Sequence, residues 1–379
     1  VIDHVIQTGG GFQQALNSAL MINKKTKDIC EPIFVVLHKH NIKVLKEFNI
    51  HAVYLKISIF TKVILLLKSK FFFPDNMRWM NSIFMVNNLE RFFGKLNIDL
   101  IFFTTPSALP KYTYSYNFIY SLWDLSHRDD VEFPEIREEF VFERREERYN
   151  AILPKATTIL VDSEVGASNV VRRYGVDKDR VLVMPFSPAE NCKITETDYR
   201  NDYIDIKKKY NISLDYVFYP AQFWSHKNHV YILRGIKAVE KKYGVQLSAI
   251  FTGSDKGNKS HVLKIATDLG LANRVIFTGF VPNKEMPYLY RQSLALTMPS
   301  YFGPTNLPPM EAFQLGVPVI YGDINGAKEQ LGDAAILVDL NDEITFADAL
   351  VSLQDESLRK KMIDKGNKQL EYINSKRGI

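Results

Sequence analysis

Ser300-Tyr301-Phe302-Gly303-Pro304-Thr305-Asn306-Leu307-Pro308-Pro309-Met310-Glu311-Ala312-Phe313 is the stretch whose reading decides the fold. It follows the apolar run Leu294 to Met298, which reads as a buried strand. A Gly/Pro/Thr/Asn loop then opens a helix with two prolines in its first turn, where a missing N–H costs little. Gly316 stops the helix, and the next apolar run is Val317 to Tyr321. Such a unit aims a positive helix end and free backbone N–H groups at one spot, which suits phosphate or sugar oxygens. Glu311 sits about one turn into the helix.

The second half of the chain alternates in the same way. Strands are predicted at Tyr216–Tyr219, Leu247–Phe251, Val275–Phe277, Leu294–Met298, Val317–Tyr321 and Ala335–Val338. Helical patterns fall between them at His229–Lys242, Ser260–Leu269, Met286–Arg291, Pro308–Leu315 and Ala327–Leu331. Strands separated by helices imply a parallel doubly wound sheet with ligands at the strands' C-terminal ends. The first half is similar in kind. Strands are predicted at Ile33–Leu37, Ala52–Leu55, Leu100–Phe103, Asn117–Tyr120, Thr158–Val161 and Val181–Pro185, with one long charged helix over Arg137–Leu153. At 379 residues, two domains of near-equal size are the default. We place them at 1–187 and 188–355, with terminal helices closing the second.

Composition excludes several classes. Hydrophobic residues at 46% and charged residues at 24% describe an ordinary soluble protein, and a net charge of +5 does not by itself argue for nucleic acid. Between Lys39 and Arg78 there are eight basic residues against two acidic, a basic and apolar face. Between Asp129 and Glu147, nine acidic residues against three arginines read as a solvated acidic face. Cys30 and Cys192 lie far apart without ligand spacing and read as free thiols of a reducing cytosol. No run reaches the roughly 18 apolar residues of a membrane span, and no signal peptide is visible. Val1–Ile6 reads as a lead-in, part of whose strand is expected to precede the chain's start.

Together these residues resemble the family 4 retaining glycosyltransferases, which have the GT-B fold. Leu307-Pro308-x-x-Glu311-Ala312, followed by Gly316-Val317-Pro318-Val319, looks like that family's donor-sugar motif. Tyr219-Pro220-Ala221-Gln222-Phe223-Trp224-Ser225-His226-Lys227-Asn228-His229 looks like its pyrophosphate loop. The resemblance is strong over about 214–340 and looser over 7–187. It implies an α/β protein of two Rossmann-like domains facing across a cleft, the helix of 356–379 crossing back to the first. The implied activity is metal-independent transfer of a hexosyl unit, with mannosyl as one candidate. The donor would be a nucleotide-diphosphate sugar, the acceptor a saccharide or lipid-linked sugar, and the context surface polysaccharide assembly. No cofactor, metal or nucleic acid is expected. The implied location is the cytoplasm, at or near the inner face of the membrane.

Site residues follow from the same resemblance. Lys227 would stabilise the leaving diphosphate, Glu311 would hold the donor ribose, and His127 is the histidine nearest to where the family places one beside the reacting sugar. Gly10 and Gly11, in a strand–glycine–helix junction, would face the donor phosphates; a tight turn is the plainer reading. Gln222 replaces the family's arginine and can donate hydrogen bonds without charge. Gly253 and Val281 end strands and would line the nucleotide pocket, or else form simple turns. Thr305, Asn306 and Leu307 would meet sugar hydroxyls. This chain departs from the pattern at Gly303, where many relatives carry a second glutamate, and at Trp123, where many carry histidine. The Asp162-Ser163-Glu164 run resembles a hinge loop of the family.

Lys56 to Phe73, apolar with spaced lysines, suits either an ordinary buried helix or interfacial membrane docking. Two further functions stay open at this point: a non-catalytic nucleotide-sugar-binding partner subunit, and a sugar-nucleotide epimerase of the same fold.

Overall fold

The computed structural model describes residues 1–6, 10–26, 28–56, 88–303 and 305–377. The chain forms two compact units. One comprises Val1–Val131 and Ile136–Met184; the other comprises Glu132–Glu135 and Pro185–Ile379.

In the first unit, β1 (Phe34–Val36) pairs with β2 (Ala52–Tyr54), both parallel. β3 (Leu100–Phe103), β4 (Asn117–Ser121), β5 (Thr158–Val161) and β6 (Val181–Val183) form a parallel sheet in that order. Val1 and Ile2 join the two pieces: the Ile2 N–H donates to Val35 and the Thr104 N–H to Val1. The helix Gly10–Lys25 is buried all round from Phe12 to Ala19, its apolar Phe12, Ala15, Leu16 and Ala19 at i, i+3, i+4 spacing and its polar Gln13, Gln14, Asn17 and Ser18 between them.

The long helix predicted over Arg137–Leu153 is broken. A short helix, Pro134–Arg137, gives way to a 3₁₀ turn, and the main helix runs only from Val141 to Ile152. Glu139 and Phe140 both take left-handed backbone, φ 51° and 57°, which no helix continues through. Neither is Gly or Pro, so the break carried no sequence signal.

The second unit is a six-stranded parallel sheet. Its strands are β7 (Tyr216–Pro220), β8 (Ser248–Thr252), β9 (Val275–Gly279), β10 (Leu296–Met298), β11 (Val319–Gly322) and β12 (Ala335–Val338). They lie in the order β12-β11-β10-β7-β8-β9. β8 is buried at every position and β7 at all but its last, as near-continuous apolar strands must be when helices cover both sheet faces. Each large apolar side chain so buried contributes roughly 1.5–3 kcal/mol. The helix His229–Tyr243 turns Ile232, Leu233, Ile236 and Val239 inward and ends at the left-handed Gly244. Its Gly235 lies directly under the Phe346 ring of the helix Glu343–Ser352, where any Cβ would collide.

The last helix, Glu356–Lys376, packs on the helices Leu307–Gln314 and Ala327–Leu331 of the same unit. Gly366 fits against Phe313 there, and Met362, Leu370 and Ile373 are buried beside it. Among the described residues no helix is long and apolar enough to cross a membrane. The segment proposed for interfacial docking lies, from residue 57 on, outside the described residues.

Candidate functional site

Strand order in the second unit reverses at β7, which has β8 on one side and β10 on the other. In open parallel sheets the crevice at such a reversal, beyond the strands' C-terminal ends, is where ligands bind. The loops that leave β7 and β10 at this point are 221–228 and 299–306, the two singled out in the sequence.

The structure brings these loops together. The Lys227 ammonium lies 3.5 Å from Oδ1 of Asn306. The Tyr219 hydroxyl donates to the Lys227 carbonyl at 2.9 Å and lies 3.0 Å from Oγ of Ser300. The Tyr301 N–H donates to the His226 carbonyl at 2.9 Å. Nδ2 of Asn306 donates to the Tyr321 hydroxyl (2.7 Å) and to the Gly303 carbonyl, which also accepts from that hydroxyl. Gly303 has φ 82°, a left-handed backbone that favours glycine.

The helix after β10 offers fewer donors than its sequence suggests. A helix start leaves four N–H groups without intrahelical partners. Here the Asn306 N–H donates to Oε1 of Gln330, and Pro308 and Pro309 have none, so the Leu307 N–H remains. The helix His229–Tyr243 is longer and follows the left-handed Asn228, the residue next to Lys227, with the N–H groups of His229 and Val230 in its first turn. Its macrodipole and the Lys227 ammonium make this the more electropositive of the two starts.

Gly253 positions loops rather than offering an open surface. A Cβ there would stand 2.6 Å from the Ala221 carbonyl oxygen, and its φ is 140°. Its N–H donates to the Gly279 carbonyl at 2.9 Å, tying the ends of β7, β8 and β9 together. Oε1 of Gln222 accepts from the Trp224 indole at 3.1 Å. Val281 packs partly buried against the core behind these loops. Thr305 precedes Asn306, the N-cap of the helix Leu307–Gln314. His229 is fully buried, stacked on Phe223 with ring centroids 4.4 Å apart. Burial holds its pKa down at about 3, so the ring is neutral.

Sequence reasoning missed a contact made by the acidic run. Glu135 is half-buried, with its side chain largely covered (7% exposed), and Oε1 accepts from both the His226 N–H (3.0 Å) and the His226 ring Nδ1. Burial pushes its carboxyl up, and the His226 hydrogen bonds outweigh that, leaving it below the ordinary value. The His226 ring stacks on Phe302 at 3.9 Å, and Phe133 packs edge-on against Phe302 at 5.2 Å. No spacing in the sequence links residues 133–135 to 226.

Glu311 is buried as well. Its Oε2 accepts from the Tyr290 hydroxyl at 2.6 Å, and the Ala189 backbone adds a second bond. Burial raises its pKa above 4.5 despite both. Ionised, a carboxylate has about four lone-pair sites, so two remain for a ligand.

The remaining candidates belong to the first unit. Gly10 and Gly11 are helical residues, not a loop, since the helix starts at Gly10; Gly9 lies outside the described residues. A Cβ on Gly11 would stand 2.9 Å from the Trp123 ring, so Gly11 makes room for that indole. Asp124 accepts from Arg145 and Ser126. His127 is fully buried, its Nε2 2.7 Å from Oε1 of Glu146, which also accepts from Arg128 and Tyr174. Burial first, then the Arg145 charge, lowers its pKa to about 4. The ring expected beside the reacting sugar is thus enclosed among Glu146, Phe142 and Tyr149. Ser163 is the N-cap of the helix Glu164–Tyr174, accepting from the Gly166 N–H at 3.1 Å. Among the described residues no group of three or more His, Cys, Asp or Glu could hold a metal ion.

Comparison with known proteins places these features. Residues 202–369 match the family described as glycosyl transferases group 1. The chain is 28% identical over 220 residues to O-antigen chain mannosyltransferase B of Escherichia coli, covering 55% of this chain and 54% of that protein. It thus spans about half the length of the curated relatives it matches. Among solved structures it is similar to a glycosyltransferase from Rickettsia africae, with TM-score 0.70 and 14% identity over 100% of this chain and 95% of that one. It is also similar to HepE of Anabaena in complex with UDP-glucose, with TM-score 0.69 and 16% identity over 99% and 94%. At such identity the likeness is one of fold: GT-B, with two Rossmann-like domains.

Proposed function

We propose, from the match of residues 202–369 to the family described as glycosyl transferases group 1, that the chain transfers a hexosyl unit from a nucleotide-diphosphate sugar to a saccharide or lipid-linked acceptor. The observation that carries this reading is the meeting of Lys227, Asn306 and the start of the helix His229–Tyr243 at the reversal of strand order. A diphosphate needs compact positive charge and unpaired N–H groups, and this corner supplies both. A mannosyl unit and a surface-polysaccharide acceptor are supported by the similarity to an O-antigen mannosyltransferase.

Retention of configuration and independence of metal are part of the proposal. In the front-face route the glycosidic C–O bond to the donor phosphate breaks as the acceptor oxygen approaches on the same face. The acceptor proton passes to the departing phosphate oxygen. Charge grows on that diphosphate, where the Lys227 ammonium and the N–H groups of His229, Val230 and Leu307 oppose it. Asn306 orients the ammonium and the sugar loop. Glu311, steadied by Tyr290, holds the ribose.

A thermal-shift panel of GDP-mannose, UDP-glucose, UDP-galactose and UDP-N-acetylglucosamine tests this, followed by turnover with the donor that stabilises most. No stabilisation by any of them would sink the reading. Donor binding without transfer to any acceptor would favour the partner-subunit reading, which Gly303 and Gln222 keep open.

A further inference from the structure

The turn Ser225–Lys227 is held at three points. The Lys227 carbonyl accepts from Tyr219, and the His226 carbonyl accepts from the Tyr301 N–H. The third anchor comes from 91 residues away in sequence: Glu135, whose Oε1 receives both the N–H and the ring Nδ1 of His226. Residues Glu132–Glu135 are part of the second unit, and Phe133 closes over Phe302 and Tyr301 beside them. A carboxylate bonded to His226, the neighbour of Lys227, opposes anion binding at the lysine unless its charge is engaged. Both contacts engage it on His226.

We propose that Glu135 is a positioning residue for Lys227: by clamping His226 from an otherwise distant part of the chain, it sets where the ammonium meets the donor diphosphate. The assignment rests on reading this corner as a diphosphate site. Without the Glu135 anchor the turn keeps its lysine but loses one of three fixed points. Its N–H then faces an empty space, and the ammonium samples positions that do not serve the ligand.

The test is calorimetric titration of the full chain with GDP, UDP and inorganic pyrophosphate, using whichever the wild type binds. Glu135→Ala is expected to weaken binding about tenfold, a change of about 1.4 kcal/mol. Glu135→Gln keeps an oxygen that accepts from the His226 N–H, so it should bind close to wild type. Glu135→Asp keeps the charge but draws it back, and should bind as weakly as the alanine variant. The double variant Glu135→Ala/Lys227→Ala should bind no more weakly than Lys227→Ala, because Glu135 acts through the lysine. Additive losses, or wild-type affinity in both the alanine and aspartate variants, would overturn the assignment. Wild type that binds none of the three probes would overturn the diphosphate reading itself, and this assignment with it.

Discussion

The Lys227 ammonium stands 3.5 Å from the Asn306 amide oxygen, joining residues 79 apart in sequence across the two strands at which the sheet order reverses. That one contact links the phosphate loop to the sugar loop. Substitutions around it should therefore separate charge, geometry and fold.

Lys227→Ala removes the ammonium group from the turn Ser225–Lys227. Transfer should fall about 10²–10³-fold, the usual cost of one lost oxyanion partner. The side chain is only part-buried, so the melting temperature should hardly move. Initial rates with the preferred donor, beside a melting curve, check both; full activity would refute the role.

Glu311→Ala should cost stability as well as activity. It strands the buried Tyr290 hydroxyl, and an unsatisfied buried donor costs about 1–3 kcal/mol. Glu311→Gln keeps an acceptor for Tyr290 and should fold well. The raised pKa of Glu311 also gives a sign. Between 4.5 and the higher folded value the native state binds the extra proton, so wild-type stability falls as pH rises through that window. The stability of wild type relative to Glu311→Gln, followed by denaturant titration from pH 4 upward, should decline; a flat difference would contradict it.

His229 titrates the other way. Its folded pKa of about 3 lies below the ordinary 6.5, so the unfolded chain binds the extra proton between those values. The stability this contributes is full above pH 6.5 and is lost as pH falls toward 3. His229→Phe preserves the stack on Phe223 and should reduce the acid sensitivity of the melting temperature in that window. Unchanged acid sensitivity would count against a neutral buried ring.

Gly303→Glu introduces a carboxylate into the loop before the helix Leu307–Gln314, yet should not strengthen donor binding. At φ 82° a side chain costs about 1–2 kcal/mol of backbone strain. The Gly303 carbonyl, held by Asn306 and Tyr321, would also shift. Donor affinity should drop in calorimetry; a gain would show that the loop tolerates a side chain at this backbone angle.

Periodicity and turn residues made much of the second unit legible in the amino-acid order. Apolar runs such as Tyr216–Tyr219, Gly316 after a helix and prolines at a helix start are local signals, and they placed the strands within two residues of where they lie. They also pointed to the loops at 221–228 and 299–306. The broken helix at Glu139–Phe140 was invisible because neither residue is a customary breaker. Gly253 was recognised as a strand-end glycine, but its reason, the backbone of Ala221 2.6 Å from any Cβ, is a contact between separate loops.

Local chemistry by itself determined the alternation of strands and helices, and with it the class of fold and the two loops worth watching. Which partners those loops have was decided only by tertiary structure. Burial is a property of what packs around a side chain, so the sequence could mark Glu135, His127 and Glu311 as charged or titratable without showing how far each would be withdrawn from solvent. Hydrogen-bond partners 20, 90 or 100 residues distant carry no local pattern, and they set the geometry and the protonation on which this chemistry depends.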